Sequence, residues 1–169
     1  MNQTLSSWNE SSESAALETM LACCGAHRWA AAVVALRPIA NVVELSLAAD
    51  RIWATMQEPD WMEAFSCHPR IGDRKAAHAS QQSIAWSTEE QSSTTSAADQ
   101  TLSELAAGNA LYEQRFGFTY IVCATGKTAE EMLVILNRRL GNDRATELLE
   151  AAEQQRQITQ IRLGKGLIE

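Results

Sequence analysis

Two short stretches carry the residue types needed for proton transfer: Cys67-His68-Pro69-Arg70-Ile71-Gly72-Asp73 and, downstream, Ser87-Thr88-Glu89-Glu90-Gln91. The first supplies an imidazole, the second a carboxylate beside a primary amide. An imidazole titrates near neutral pH, and a carboxylate acting with it can hold or pass a proton, so the pair suits general acid–base work. Pro69 disfavours helical backbone at the residue before it, which predicts that a helix through Trp61, Met62, Phe65 and Ser66 stops at His68. The partial negative charge at a helix C-terminus then favours the imidazolium, the form that donates a proton.

Ser87 and Glu90 have the spacing of a capping box, in which each side chain accepts a backbone N–H at the start of a helix. Read that way, the free N–H groups of a helix beginning at Ser87 can hold a carboxylate or carbonyl of a ligand. Glu90 or Gln91 then contacts the rest. The Gln91 amide both donates and accepts, which matches a urea or ring amide.

Other candidates carry less. Gly126-Lys127-Thr128 has the ending of a phosphate-binding loop, but the glycine that loop needs five residues earlier is Ile121, so a turn and a helix cap explain it. Cys23, Cys24, Cys67 and Cys123 form no C-x-x-C pair and read as free thiols. His27, His68 and His78 lack the spacing of a metal site, so no metal is expected. His27 and His78 read as surface or satisfied core residues, and Trp29, Trp53, Trp61 and Trp86 as packing. Arg162, within Gln160-Ile161-Arg162-Leu163, either pairs with a surface acid or clamps an anion through its planar fork.

Positioning these groups requires a folded domain, and 169 residues suffice for one with a real core. The chain is 46% hydrophobic and 21% charged, and no apolar run approaches the roughly 20 residues of a membrane span. A formal net charge of -7 argues against a nucleic-acid partner, since phosphate binding needs clustered Lys and Arg. The start, Met1 to Ser7, does not resemble a secretory signal, and Leu167-Ile168-Glu169 is not a peroxisomal address; the cytoplasm is the expected location.

Helical periodicity recurs along the chain and predicts a single-domain, all-α bundle of about seven or eight helices with one short extended segment near 118–124. Helices are expected from about Ser12 to Ala22, from about His27 to Leu36, and from a capping box at Asn41 and Glu44 through Trp53. Another opens at Pro59-Asp60 and runs toward His68. Arg70 to about Trp86 reads as a loop with one helical turn at Arg74 to Ala79. A long helix follows from Thr88 toward Arg115, broken near Ser92 to Ala97 and ending at Gly117. Phe118 to Ala124 is rich in aromatic and β-branched side chains, hence extended. Thr128 and Glu131 cap a helix to Leu140, and Asn142 or Asp143 caps the last one.

The pattern resembles a known family, the 2-oxo-4-hydroxy-4-carboxy-5-ureidoimidazoline (OHCU) decarboxylases of purine degradation, in their bacterial type. The resemblance covers nearly the whole chain. It rests on His68-Pro69-Arg70-Ile71-Gly72, on Ser87-x-x-Glu90-Gln91, and on Asn109-x-x-Tyr112-Glu113-x-x-Phe116-Gly117-Phe118 running into Tyr120 to Ala124. It implies a cofactor-free, all-α enzyme, usually a homodimer, that converts the small-molecule OHCU to (S)-allantoin and carbon dioxide. By resemblance His68 and Glu90 are catalytic, and Pro69, Ser87 and Gln91 contact substrate. The backbone of Tyr120, Ile121, Val122, Cys123 and Ala124 holds ring and ureido amides, and Arg162 completes the set. Two departures stand out: Tyr120 where phenylalanine is frequent, and Gly164-Lys165-Gly166, which predicts a loose tail. The competing readings are a non-catalytic helical module binding a ureide or a protein partner, and thiol chemistry at Cys67 or Cys123.

Overall fold

The computed structural model describes residues 3–71, 80–92 and 97–167, and among these no residue lies in a β-strand. The described helices are α1 (Gln3–Glu10), α2 (Glu13–Cys23), α3 (His27–Val34), α4 (Val42–Trp53), α5 (Glu58–Ser66), α6 (Gln81–Glu90), α7 (Asp99–Phe116), α8 (Ala129–Arg139) and α9 (Arg144–Leu167). The all-α expectation holds, with more helices than the periodicity suggested. The chain divides into two compact units, Met1–Ala64 with Arg156–Glu169, and Phe65–Gln155. The divisions fall inside α5 and α9.

In the first unit, α1 was not anticipated. Its apolar content is little more than Leu5 and Trp8, both buried, so packing rather than propensity supports it. Indole N–H groups tie its helices together: Trp8 Nε1 donates to Ala16 O (3.2 Å) and Trp29 Nε1 to Ala49 O (3.1 Å). Asn41 accepts from the N–H of Glu44 (2.9 Å), one half of the expected capping box. Gln160 and Arg156 of α9 both donate to Asp50 of α4, at 2.7 and 3.0 Å. The tail is not loose: α9 runs through Gly164-Lys165-Gly166 to Leu167, because Leu163 and Leu167, one turn apart, are both buried.

In the second unit the largest correction concerns α6. The stretch read as a loop up to Trp86 contains a helix that begins at Gln81, with Ser80 as its cap accepting from the N–H of Ser83 (3.1 Å). Its buried side is lined by Ser83 and Ser87, so a helical face exists without the apolar period that would announce it. Ser87 and Glu90 therefore lie in the last turn of a helix rather than the first. The helical turn expected at Arg74 to Ala79, and His78, fall outside the described residues, as do positions 93–96 of the expected break.

The long helix expected from Thr88 is instead α7, starting at Asp99. Its buried positions Leu105, Asn109, Tyr112 and Phe116 recur at helical spacing. Gly108 lets it approach α8 closely, since a Cβ there would meet Leu136 Cδ2 at 2.6 Å. Gly117 ends it at φ 82, a left-handed conformation that glycine adopts without steric cost. Thr128 and Glu131 form the full reciprocal capping box of α8, and Asp143 caps α9 through the N–H of Thr146 (2.9 Å).

Candidate active site

The site grows from the end of α5. That helix stops at Ser66, two residues short of His68, and the His68 N–H donates to Phe65 O (3.1 Å), a last turn that Pro69 prevents from continuing. Pro69 is buried and His68 half-buried. Arg70 then forks onto Glu113 of α7, Nε to Oε1 at 2.7 Å and Nη2 to Oε2 at 2.5 Å. This bidentate pair fixes the His68 loop on α7 without using the imidazole.

The imidazole has its own partner. His68 Nε2 lies 2.7 Å from Oε1 of Gln155, a fully buried residue of α9. An amide oxygen accepts only, so the ring places its N–H on Nε2. The neighbouring Gln154 does a parallel job: its Oε1 accepts from the N–H of Cys123 at 2.8 Å. Consecutive glutamines on α9 thus hold His68 and the segment 120–124 to the same turn of that helix.

That segment belongs to no helix and is buried throughout. Its anchors are side chains reaching in from α8 and α9. Arg139 donates to Ile121 O (2.6 Å) and through Nε to Glu147 Oε1 (2.7 Å), both ionic side chains being fully buried. Tyr112 also donates to Glu147 Oε1, and Asn142 Nδ2 to its Oε2 (2.9 Å). Burial opposes the charge of Arg139, but the hydrogen bond to Glu147 and the adjacent carboxylate and phenols outweigh it and hold the guanidinium protonated. Desolvation likewise raises the Tyr112 and Tyr120 phenols, so both stay neutral. The hydroxyl that distinguishes Tyr120 from phenylalanine is satisfied by Met132 O (3.1 Å). Rings of Phe65, Phe118, Tyr112 and Tyr120 pack in series at centroid distances of 5.3, 5.7 and 5.3 Å.

Lys127 closes the turn after the segment, its Nζ donating to Cys123 O (2.7 Å) and its N–H to Ala124 O (3.0 Å). Among the described residues, the N–H and C=O of Val122 have no hydrogen-bond partner. Buried backbone amides are nearly always paired, so Val122 offers a donor and an acceptor to a ligand.

Ser87 is buried and Glu90 and Gln91 are half-buried at the C-terminal end of α6, where the Gln91 N–H donates to Ser87 O (3.1 Å). The expected cradle of free N–H groups at Ser87 is therefore absent from this helix end, which presents carbonyls instead. Arg162 belongs to the first unit, where its buried guanidinium donates to Ala22 O (3.4 Å) and lies beside the Cys23 thiol. Gln154, Gln155, Arg139 and Glu147 were not found by sequence reasoning. The available signal was a polar residue on a buried stripe: Glu147, Ala151, Gln155 and Ile158 recur at steps of three and four and are all buried.

The comparisons with known proteins bear on this arrangement. The OHCU decarboxylase family model matches residues 9–164. The chain belongs to the OHCU decarboxylase family. It is 38% identical over 146 residues to the uric acid degradation bifunctional protein TTL of Arabidopsis thaliana, covering 85% of this chain but 44% of that protein. Against the 2-oxo-4-hydroxy-4-carboxy-5-ureidoimidazoline decarboxylase of Amia calva it is 30% identical over 134 residues, 79% of this chain and 77% of the relative. Among solved structures it resembles an OHCU decarboxylase crystallised in the presence of (S)-allantoin, with a TM-score of 0.78 and 33% identity over 90% of this chain and 99% of that one.

The cysteines of this family member give a first prediction. Burial pushes the Cys23 thiol up to about 12, Arg162 opposing and Cys24 adding. A raised thiol pKa removes the nucleophilic thiolate, so at pH 8 Cys23 in the native fold is expected to react with iodoacetamide on the order of a thousandfold more slowly than an ordinary exposed thiol. Timed alkylation with peptide mass mapping reads this directly; rapid labelling of native Cys23 would contradict it.

Proposed function

We propose that this chain is a carboxy-lyase that decarboxylates OHCU to (S)-allantoin in urate degradation, without a cofactor. The observation that supports the reading is that consecutive residues of α9, Gln155 and Gln154, hydrogen-bond His68 and Cys123, in a chain of this family.

Loss of carbon dioxide leaves an electron pair on the carbon that bore the carboxylate. Many enzymes recruit a cofactor to accept it. Here the adjacent C=N of the imidazoline takes the pair, giving an ene-type intermediate that is then protonated on one face. The protein has to orient the carboxylate, manage the neighbouring hydroxyl and deliver a proton. His68, its ring set by Gln155, is the proton donor. Glu90 orients the substrate, with Ser87, Gln91 and Pro69 as further contacts. Val122 pairs its free N–H and C=O with ring or ureido amides, within the stretch Tyr120 to Ala124. Arg162 is the proposed anion-binding group. The active species is proposed to be a cytoplasmic homodimer, which sedimentation would check; among the described residues, no helix is long and apolar enough to cross a membrane.

The test is to generate the unstable substrate in place and follow its decay with and without protein, together with the carbon dioxide released. Acceleration with one equivalent of gas supports the reading, and decay at the spontaneous rate opposes it. Glutamine at position 90 keeps the size and hydrogen-bonding reach of the side chain, so it separates a role in chemistry from one in folding. A carboxylate near a helix C-terminus faces the negative end of the helix, so it is not there for helix stability. Glu90→Gln is expected to shift the melting temperature by less than about 2 °C and to lower turnover by about 100-fold. Unchanged turnover would remove Glu90 from the chemistry.

A further inference from the structure

Asn109 lies on the buried stripe of α7 and is 2% exposed, yet neither its Oδ1 nor its Nδ2 has a hydrogen-bond partner. Buried side-chain amides are rarely left so, because both a donor and an acceptor lose water and gain nothing. Its neighbours on the helix locate it. Four residues on, Glu113 grips Arg70, two residues past His68. Three residues on, the ring of Tyr112 meets Phe118 and Tyr120, where the segment leading to Val122 begins. Asn109 therefore shares a helix face with the residues that hold both parts of the candidate site.

We propose that Asn109 is a further substrate-binding residue, which reads an amide or ureido group: Oδ1 accepts a ligand N–H while Nδ2 donates to the adjoining carbonyl. A primary amide is self-complementary to such a group, and no charge needs to be buried to satisfy it. Polar side chains in a binding site that no protein group satisfies are also the ones that discriminate against ligands lacking the matching group. The inference rests on the decarboxylase reading and extends it.

Asn109→Leu, close in volume and without polar atoms, separates a ligand role from a structural one. An unpartnered amide contributes no hydrogen bond to the fold, so the variant is expected to melt at or above the wild-type temperature. Its KM for OHCU should rise by about tenfold or more with a smaller change in kcat, and the thermal shift given by (S)-allantoin should be lost. Asn109→Ala carries the same readouts should leucine prevent folding. A wild-type KM and allantoin shift in these variants would overturn the proposal, as would a lowered melting temperature with unchanged KM. If the wild-type chain neither accelerates OHCU decay nor is stabilised by (S)-allantoin, the decarboxylase reading itself fails. Hydantoin, a minimal cyclic ureide, then decides for Asn109: stabilisation of wild type but not of Asn109→Leu keeps the amide-reading role, and no stabilisation of wild type overturns it.

Discussion

Replacing His68 by alanine is expected to lower kcat for OHCU by about a thousandfold while leaving the protein folded. Both halves follow from how the residue is held. The loop is fixed by the Arg70–Glu113 fork and by burial of Pro69, neither of which needs the imidazole. The side chain itself is half-buried, and its ring hydrogen-bonds to Gln155. Losing it costs stability on the order of 1 kcal/mol, with a similar penalty for leaving the Gln155 oxygen unpaired. The proton it delivers has no such substitute. Circular dichroism melts and substrate decay on the same preparation check the prediction, and a variant retaining near-wild-type turnover would assign the proton to another group. Gln155→Leu should weaken turnover less, since the ring loses its orienting acceptor but not its proton.

The second large effect concerns stability. Arg139 and Glu147 form an ion pair that is fully buried, with Tyr112, Asn142 and Ile121 O completing the hydrogen bonds. Removing one partner of such a pair leaves the other charged in a low-dielectric interior, which costs roughly 3–5 kcal/mol. Arg139→Ala is expected to lower the melting temperature by about 10 °C, given roughly 2–4 °C per kcal/mol at this chain size. Turnover should fall with it, because the guanidinium also holds Ile121 O. The double variant Arg139→Met with Glu147→Leu should recover part of the lost stability, since neither charge is then stranded. Urea or thermal unfolding reads both. A melt within about 2 °C of wild type for Arg139→Ala would mean that the pair carries little of the second unit's stability.

How much of this could be read from residues alone depended on which signal each element leaves. Caps and breakers were informative: Ser12, Thr128 and Asp143 start helices, Gly117 ends one, and Pro69 fixes the exit toward His68. Helix α6 hid because its buried side is serine rather than leucine, and the Ser87–Glu90 spacing then suggested a start where the helix ends. Spacing alone does not distinguish the two, as it records neighbours on a helix and not the direction from which the helix arrives. The histidine was legible because proline and glycine flank it. Its orienting partner was not, since Gln155 lies 87 residues away and only the tertiary fold brings them within 2.7 Å. The ion pair under the segment 120–124 escaped for the same reason: Arg139 and Glu147 sit eight residues apart on two different helices, and only the tertiary fold pairs them.

Decarboxylation of OHCU by this chain should come with control of the face on which the adjacent, ureido-bearing carbon is protonated. Circular dichroism of the product, recorded while freshly generated substrate is consumed, addresses both at once. An (S)-allantoin signal is expected that grows at a rate proportional to wild-type protein and collapses to the uncatalysed, optically inactive background with His68→Ala. A racemic product formed at the spontaneous rate in the presence of folded wild-type protein would contradict it.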